Sequence, residues 1–310
     1  MSTTTSTPIL FLVFNRPEHT SRVFERIRAA RPTRLYVSAD GPRAHVATDA
    51  ENSRLTRQVI ESMDWECSVK TLYRERNLGC RPAVQSGIDW FFENEEAGII
   101  LEDDCLPDLS FFRFCAEMLE RYADDERVMH ISGNNPAARA CRKVPTSYVF
   151  SKFSFIWGWA SWRRAWRHYD GTFRMLEQAP QRAERLIADA AKNPTAARYL
   201  LDKFLRTRDG ELNTWDYAWF YSILMNEGWC ANSASNLVEN IGFDQAATHT
   251  NQRRAIASQH SKVAPAQFPL RHPDQIARDE RIERAFFHAS QKGRLGLLLR
   301  QIAPDLFFKK

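Results

Sequence analysis

Short apolar runs alternate with amphipathic stretches through the first hundred residues. Pro8–Phe14 (PILFLVF) and Gly98–Leu101 are apolar on both faces, as strands inside a parallel sheet are. Leu35–Ser38 and Ser68–Tyr73 read as two further strands between them. The intervening segments carry helical stripes: Val23, Phe24 and Ile27 behind Pro17, then Leu55, Val59 and Met63 behind Thr48-Asp49-Ala50-Glu51, a capping-box pattern. A loop at Asn77–Pro82 opens the next helix, which ends on Trp90-Phe91-Phe92. Strand and helix in strict alternation predict an α/β fold with a mostly parallel central sheet flanked by helices.

After the fourth strand, Pro107-Asp108 caps a helix carrying Phe111, Phe112, Cys115, Met118, Leu119 and Tyr122, and Val128–Ser132 is a further strand. Beyond Asn134 the texture changes. Six of the nine tryptophans fall between residues 157 and 219. An Ala- and Arg-rich helical stretch, Gln181–Arg206, separates the two aromatic blocks, and Thr214 is placed to cap a helix that stops at Gly228. Trp229–Gly242 holds more strand-like pieces. The expected organisation is a domain over 1–250, with halves at 8–133 and 134–250, the second aromatic-rich. A polar segment and a basic amphipathic tail follow over 251–310, the tail suited either to docking on the domain or to touching a membrane surface.

A chain of 310 residues with 44% hydrophobic content has enough apolar material for a large core. A net charge of +5, spread along the sequence, fits an anionic small molecule and is too weak to argue for nucleic acid. The run Ile9–Phe14 is too short for a membrane span or a signal sequence. Cys67, Cys80, Cys105, Cys115, Cys141 and Cys230 form no CxxC pair and read as reduced thiols, so a cytoplasmic protein is expected.

The strongest chemical signal is where the fourth strand ends. Gly98–Leu101 runs directly into Glu102-Asp103-Asp104. Acids at the C-terminal end of a buried strand sit where open α/β sheets bind ligands. Three adjacent carboxylates call for a positive partner, either a divalent metal or Arg and Lys side chains. No P-loop, GxGxxG, GxSxG or HExxH pattern is present. An incomplete set of protein ligands suits Mg²⁺ or Mn²⁺ whose shell a substrate diphosphate completes. Arg16 and Arg81 lie at neighbouring strand ends and suit phosphate oxygens, and Asp40 suits a base or ribose donor or plain turn chemistry. Asp216, among Trp215, Tyr217 and Trp219, is an acid in apolar surroundings and a candidate base. His249 is a candidate metal ligand or a structural histidine.

GIILEDD followed by Pro-Asp-x-x-Phe-Phe resembles the Glu-Asp-Asp motif of the N-acetylglucosaminyltransferase I family, and more broadly the nucleotide-diphospho-sugar transferases of GT-A fold. Asn15-Arg16 after the first strand, Asp40-Gly41 after the second, Trp157-Gly158-Trp159 and Trp215-Asp216 carry the resemblance over roughly residues 8–250. It implies metal-dependent inverting transfer, with Mn²⁺ or Mg²⁺ on Asp104 and the donor, a UDP-sugar in the first instance, on Glu102, Asp103, Asp40 and Arg16. Asp216 would be the base, with Trp157, Trp159 and Trp215 on the acceptor side facing a glycan or lipid-linked acceptor. A sugar-nucleotide pyrophosphorylase and a non-catalytic sugar-nucleotide-binding module are the alternatives; the first normally has a glycine-rich N-terminal phosphate loop, and FLVFNRPEHT has no glycine.

Overall fold

The computed structural model describes residues 5–242 and 262–289. Its main sheet has eight strands in the order β3-β2-β1-β4-β8-β6-β9-β7. These are β1 (Ile9–Val13), β2 (Arg34–Ala39), β3 (Ser68–Tyr73), β4 (Ala97–Glu102), β6 (Val128–Ser132), β7 (Tyr148–Ser151), β8 (Trp159–Trp162) and β9 (Trp229–Ser233). A two-stranded antiparallel ribbon pairs β5 (Cys105–Pro107) with β10 (Val238–Asn240). β1 to β4 are mutually parallel, as the alternating pattern predicts. β8 inserts antiparallel between β4 and β6, and β7 is antiparallel to β9, so the sheet is mixed though mostly parallel.

Period-two alternation sends successive side chains to opposite faces. Ile9, Phe11, Val13, Leu35, Val37, Ile99 and Leu101 face helices α1 (Pro17–Ala30), α2 (Asp49–Glu61) and α4 (Ser110–Arg121). Leu10, Leu12, Tyr36 and Ile100 share the other face with α3 (Cys80–Asn94), α6 (Arg163–Trp166) and α10 (Asp216–Met225). Two smaller helices, α5 (Ala138–Cys141) and α7 (Arg174–Gln178), precede α8 (Pro180–Ala191) and α9 (Pro194–Arg208). The Ala-rich stretch is therefore two helices. Lys192 turns left-handed, Asn193 accepts from Ala196 N at 2.8 Å, and Pro194 starts the second helix.

Other local expectations shift for identifiable reasons. Thr48 makes no side-chain cap on α2, and the Asp49 carboxylate is instead taken by Arg43 and Asn15. The buried stripe of α2 is Ser53, Thr56 and Ile60, with Val59 and Met63 at its edge, because its contact is with α1 rather than the sheet centre. The segment after residue 250 is also less peripheral than its polarity implies. Leu270 is buried in the core with α1 and α4, while Ile282 and Phe286, in helical residues 280–289, are buried with α8 and α9. His249 and the basic tail at 293–310 lie outside the described residues. No described helix is long and apolar enough to cross a membrane.

Candidate active site

The chain leaves β1 toward β2 and β3 on one side, then returns to place β4 on the other side of β1. That reversal brings the loops after β1 and β4 side by side at a switch point of the sheet, the position where open α/β sheets bind ligands. Arg16 leaves β1 at the N-cap position of α1, held there by Pro17. Glu102 closes β4, and Asp103 and Asp104 follow. Arg16 meets both acids there: Nη2 donates to Asp103 Oδ1 and Nη1 to Asp104 Oδ2 at 3.0 Å.

The balance of charge at this point is unequal. Asp103 is 2% exposed, and its Oδ2 is buried without a well-formed hydrogen bond; Glu102 Oε1 is in the same condition. Burial pushes the Glu102 carboxyl well above its usual range, and the charges of Asp104 and Asp103 add to the shift. Asp103 is raised for the same first reason, against the pull of Arg16. Burial lowers Arg16, but the two acids outweigh it and hold the guanidinium above its ordinary value.

The ribbon β5–β10 closes one side. Ile241 N donates to Asp104 O at 2.8 Å, and His19 Nε2 lies 3.1 Å from Ile241 O. Gly242 then passes directly over the ion pair: a Cβ there would stand 2.5 Å from Asp104 Oδ2 and 3.1 Å from Arg16 Nη1. A larger residue there would have to push the Asp104 carboxylate or the Arg16 guanidinium aside.

Asp216 begins α10, and its charge reaches Glu102 strongly enough to help raise it. Burial raises Asp216 itself, opposed by a hydrogen bond from Thr214 Oγ1 and by the backbone N–H of Tyr217. Cys80, at the exposed start of α3, feels both carboxylates: partial desolvation by the surrounding protein, then the charges of Glu102, Asp216 and Asp40, push its thiol up to about 11. Neither Cys80 nor Gly242 stands out in the sequence, because each acts through where a distant acid ends up.

Four residues expected at the site are engaged elsewhere in the fold. Asp40 accepts at Oδ1 from Gly41 N and Leu78 N, and at Oδ2 from Asn77 Nδ2 and Gly79 N, between 2.8 and 3.1 Å. Its acceptor capacity goes to the loop that opens α3, where Gly79 has φ +84°. Arg81 turns away from the acids; its guanidinium donates to Thr207 O at 2.8 Å and to Gly171 O. Trp159 and Trp215 are 0% and 2% exposed and stack on each other at 5.6 Å, inside the core. Of the acceptor-side tryptophans, only Trp157 is half-buried.

No group of three carboxylate, imidazole or thiol ligands among the described residues forms a self-sufficient metal cage. The donor set nevertheless fits a hard divalent cation. Asp104 is the most accessible of the paired acids, at 17% against 3% for Asp103, and a buried oxygen of Glu102 is without a partner. Mg²⁺ and Mn²⁺ use one or two carboxylates where substrate phosphates supply the rest.

No family model matches the chain, and no curated protein matches it. The resemblance to the N-acetylglucosaminyltransferase I family is therefore one of motif residues alone. Among solved structures, mouse xyloside xylosyltransferase 1 in its apo form is similar over 72% of this chain and 83% of that chain, at 12% identity and a TM-score of 0.33. At that score the reading of the site rests on its own geometry.

Proposed function

We propose that the chain is a glycosyltransferase that moves a sugar, with inversion, from a nucleotide-diphospho-sugar to an acceptor hydroxyl. One observation carries the reading. Three carboxylates and one arginine converge at the β1/β4 switch point with buried oxygens left over, and a fourth carboxylate, Asp216, itself desolvated, stands within electrostatic reach. A structural salt-bridge cluster has no use for the spare oxygens, whereas a diphosphate with its cation has.

In this reading Asp104, with Asp103 behind it, holds Mn²⁺ or Mg²⁺, which when bound neutralises charge on the diphosphate leaving group. Arg16 shares that charge from the β1 side. Glu102 faces the donor from the end of β4. Asp216 accepts the proton of the attacking hydroxyl, a role its burial favours by moving its pKa toward neutrality. Asp40 acts at one remove, holding Asn77–Gly79 in shape. Trp157 is the acceptor-side aromatic, suited to the face of a sugar in a glycan or lipid-linked acceptor.

Calorimetric titration with UDP, GDP and dTDP, with and without Mn²⁺, tests the reading. One nucleotide is expected to bind with a marked dependence on Mn²⁺, and Asp104→Asn to remove that dependence. Asp216→Asn should keep the binding while sugar transfer or donor hydrolysis falls by roughly 10²–10⁴-fold, the span of a lost general base. Nucleotide affinity indifferent to Mn²⁺ would sink the metal assignment, and full activity in Asp216→Asn would remove the base.

A further inference from the structure

We propose that Arg16 is an exchangeable counter-ion: it occupies the carboxylates of Asp103 and Asp104 while the mouth is empty of ligand, and it moves onto the diphosphate when cation and nucleotide bind together. The proposal rests on the reading of the mouth as a cation–nucleotide site, and goes beyond it by making the two ligands depend on each other through one side chain.

The two sides of the ion pair are unlike. Asp103 and Asp104 are fixed by the end of β4, with side chains 3% and 17% exposed; the Arg16 side chain is 39% exposed. The arginine is therefore the partner that can leave. Its fork bridges one oxygen on each of two acids, and the same fork matches two oxygens of a phosphate. Gly242 packs closely over the pair: a Cβ there would crowd Asp104 Oδ2 and Arg16 Nη1, so the backbone of the ribbon covers one side of the guanidinium.

The remaining acids define what must follow. Glu102 keeps a buried oxygen without a partner, and Asp103 has the Phe14 backbone N–H beside Arg16 but no second cation, so withdrawing Arg16 would leave the charge of the cluster uncompensated unless another cation arrived. Conversely, a cation arriving alone must displace a guanidinium that has nowhere comparable to go. A diphosphate resolves both problems, because it offers Arg16 a new partner as it completes the cation's shell. Cation and nucleotide should then bind cooperatively, each tightening the other by the same factor.

The test measures Mn²⁺ binding by the electron paramagnetic resonance of the free ion, with and without UDP, GDP or dTDP. Wild type should bind Mn²⁺ weakly alone and tightly with the nucleotide. Arg16→Gln should bind Mn²⁺ alone more tightly than wild type, by a factor in the range of roughly 5–150 typical of site–site coupling, and should lose most of the nucleotide's effect. Arg16→Lys, which keeps the charge, should stay close to wild type for Mn²⁺ alone. If Arg16→Gln binds Mn²⁺ alone no better than wild type, the exchange is wrong while the site reading stands; if wild type shows no Mn²⁺-dependent nucleotide binding, both fall. Should Arg16→Gln fail to fold, ¹⁵N-arginine resonances of wild type decide. The Arg16 guanidinium signal, assigned by its loss in Arg16→Lys, must shift when Mg²⁺ and nucleotide are added together, and an unmoved signal overturns the exchange.

Discussion

The acidic mouth and the tryptophan block share one sheet, and each gathers residues that catch the eye. In the block, Trp159 stacks on His130 at 5.1 Å and on Trp215 at 5.6 Å, with Trp166 and Trp219 packed around it. His130 receives the Trp219 Nε1–H at Nδ1 (3.2 Å), which fixes its tautomer so that Nε2–H donates to Phe155 O. Almost everything there is paired, Trp159 Nε1 being the exception. In the mouth, several negative groups face one guanidinium and carboxylate oxygens are left over. The difference is one of balance, not of the density of conspicuous side chains. Trp159 and Trp215 look like a sugar platform in the sequence and are core; Glu102, Asp103 and Asp104 look like a chemical site in the sequence, and the structure leaves them with more negative charge than Arg16 offsets.

The largest expected effect breaks the comparison open. Trp159→Ala empties the centre of the block and should cost about 3–5 kcal/mol of stability. Urea denaturation reads it directly. Asp216→Asn, next in the chain to Trp215 of the same block, should leave the denaturation midpoint near wild type while activity collapses. A small loss in Trp159→Ala together with weakened acceptor binding would return Trp159 to the acceptor side.

Most of this layout is legible in the sequence. The runs ending at Phe14 and Leu101 are apolar on both faces and are β1 and β4, and the strand-like Leu35–Ser38 is β2. Arg16 and the acids are legible too, since strand direction alone carries both to one mouth. β8 is not. Trp159–Trp162 is four residues long and rich in tryptophan, so its alternation is too short to outweigh a helical reading, and only the gap between β4 and β6 makes it a strand. Asp40 takes the turn role that the sequence leaves open beside a nucleotide role, and Arg81 goes to Thr207 and Gly171 rather than to the acids: a strand-end residue meets the mouth only if its hydrogen bonds are not already spent nearby, and that depends on partners far away in the sequence or unremarkable in it.

Changing pH should pull the two regions in opposite directions. Burial lowers His130 from 6.5 to about 3, with the hydrogen bond to Phe155 O opposing the shift. Between those values the unfolded chain holds a proton that the folded chain refuses, so this contribution is complete above 6.5 and is lost as pH falls toward 3. His130→Gln should flatten that loss. The gap between its stability and that of wild type should change by about 1.4 kcal/mol per pH unit at most, measured by urea melts from pH 6.5 to 4.5. Parallel curves would mean that His130 is not the neutral, tautomer-locked centre of the block.

The mouth carries the opposite sign, and the smaller effect. The Glu102 carboxyl is raised by burial and by Asp104 and Asp103, so above its unfolded value of 4.5 the folded chain retains a proton that the unfolded chain has released. Its contribution is therefore complete below 4.5 and declines as pH rises through the folded value. Glu102→Gln removes the ionisation without changing the shape. It should match wild type near pH 4.5 and exceed it at pH 8 by roughly 0.5–2 kcal/mol, the usual size of a relieved functional-site conflict. The measurement belongs in chelator, so that no cation relieves the wild-type site first. Adding Mn²⁺ with nucleotide should then close the gap by stabilising wild type more than the variant, since bound ligands stabilise the state that binds them. A Glu102→Gln protein no more stable than wild type at pH 8 would mean that the mouth is already balanced without ligand, and the contrast with the tryptophan block would lose its physical basis.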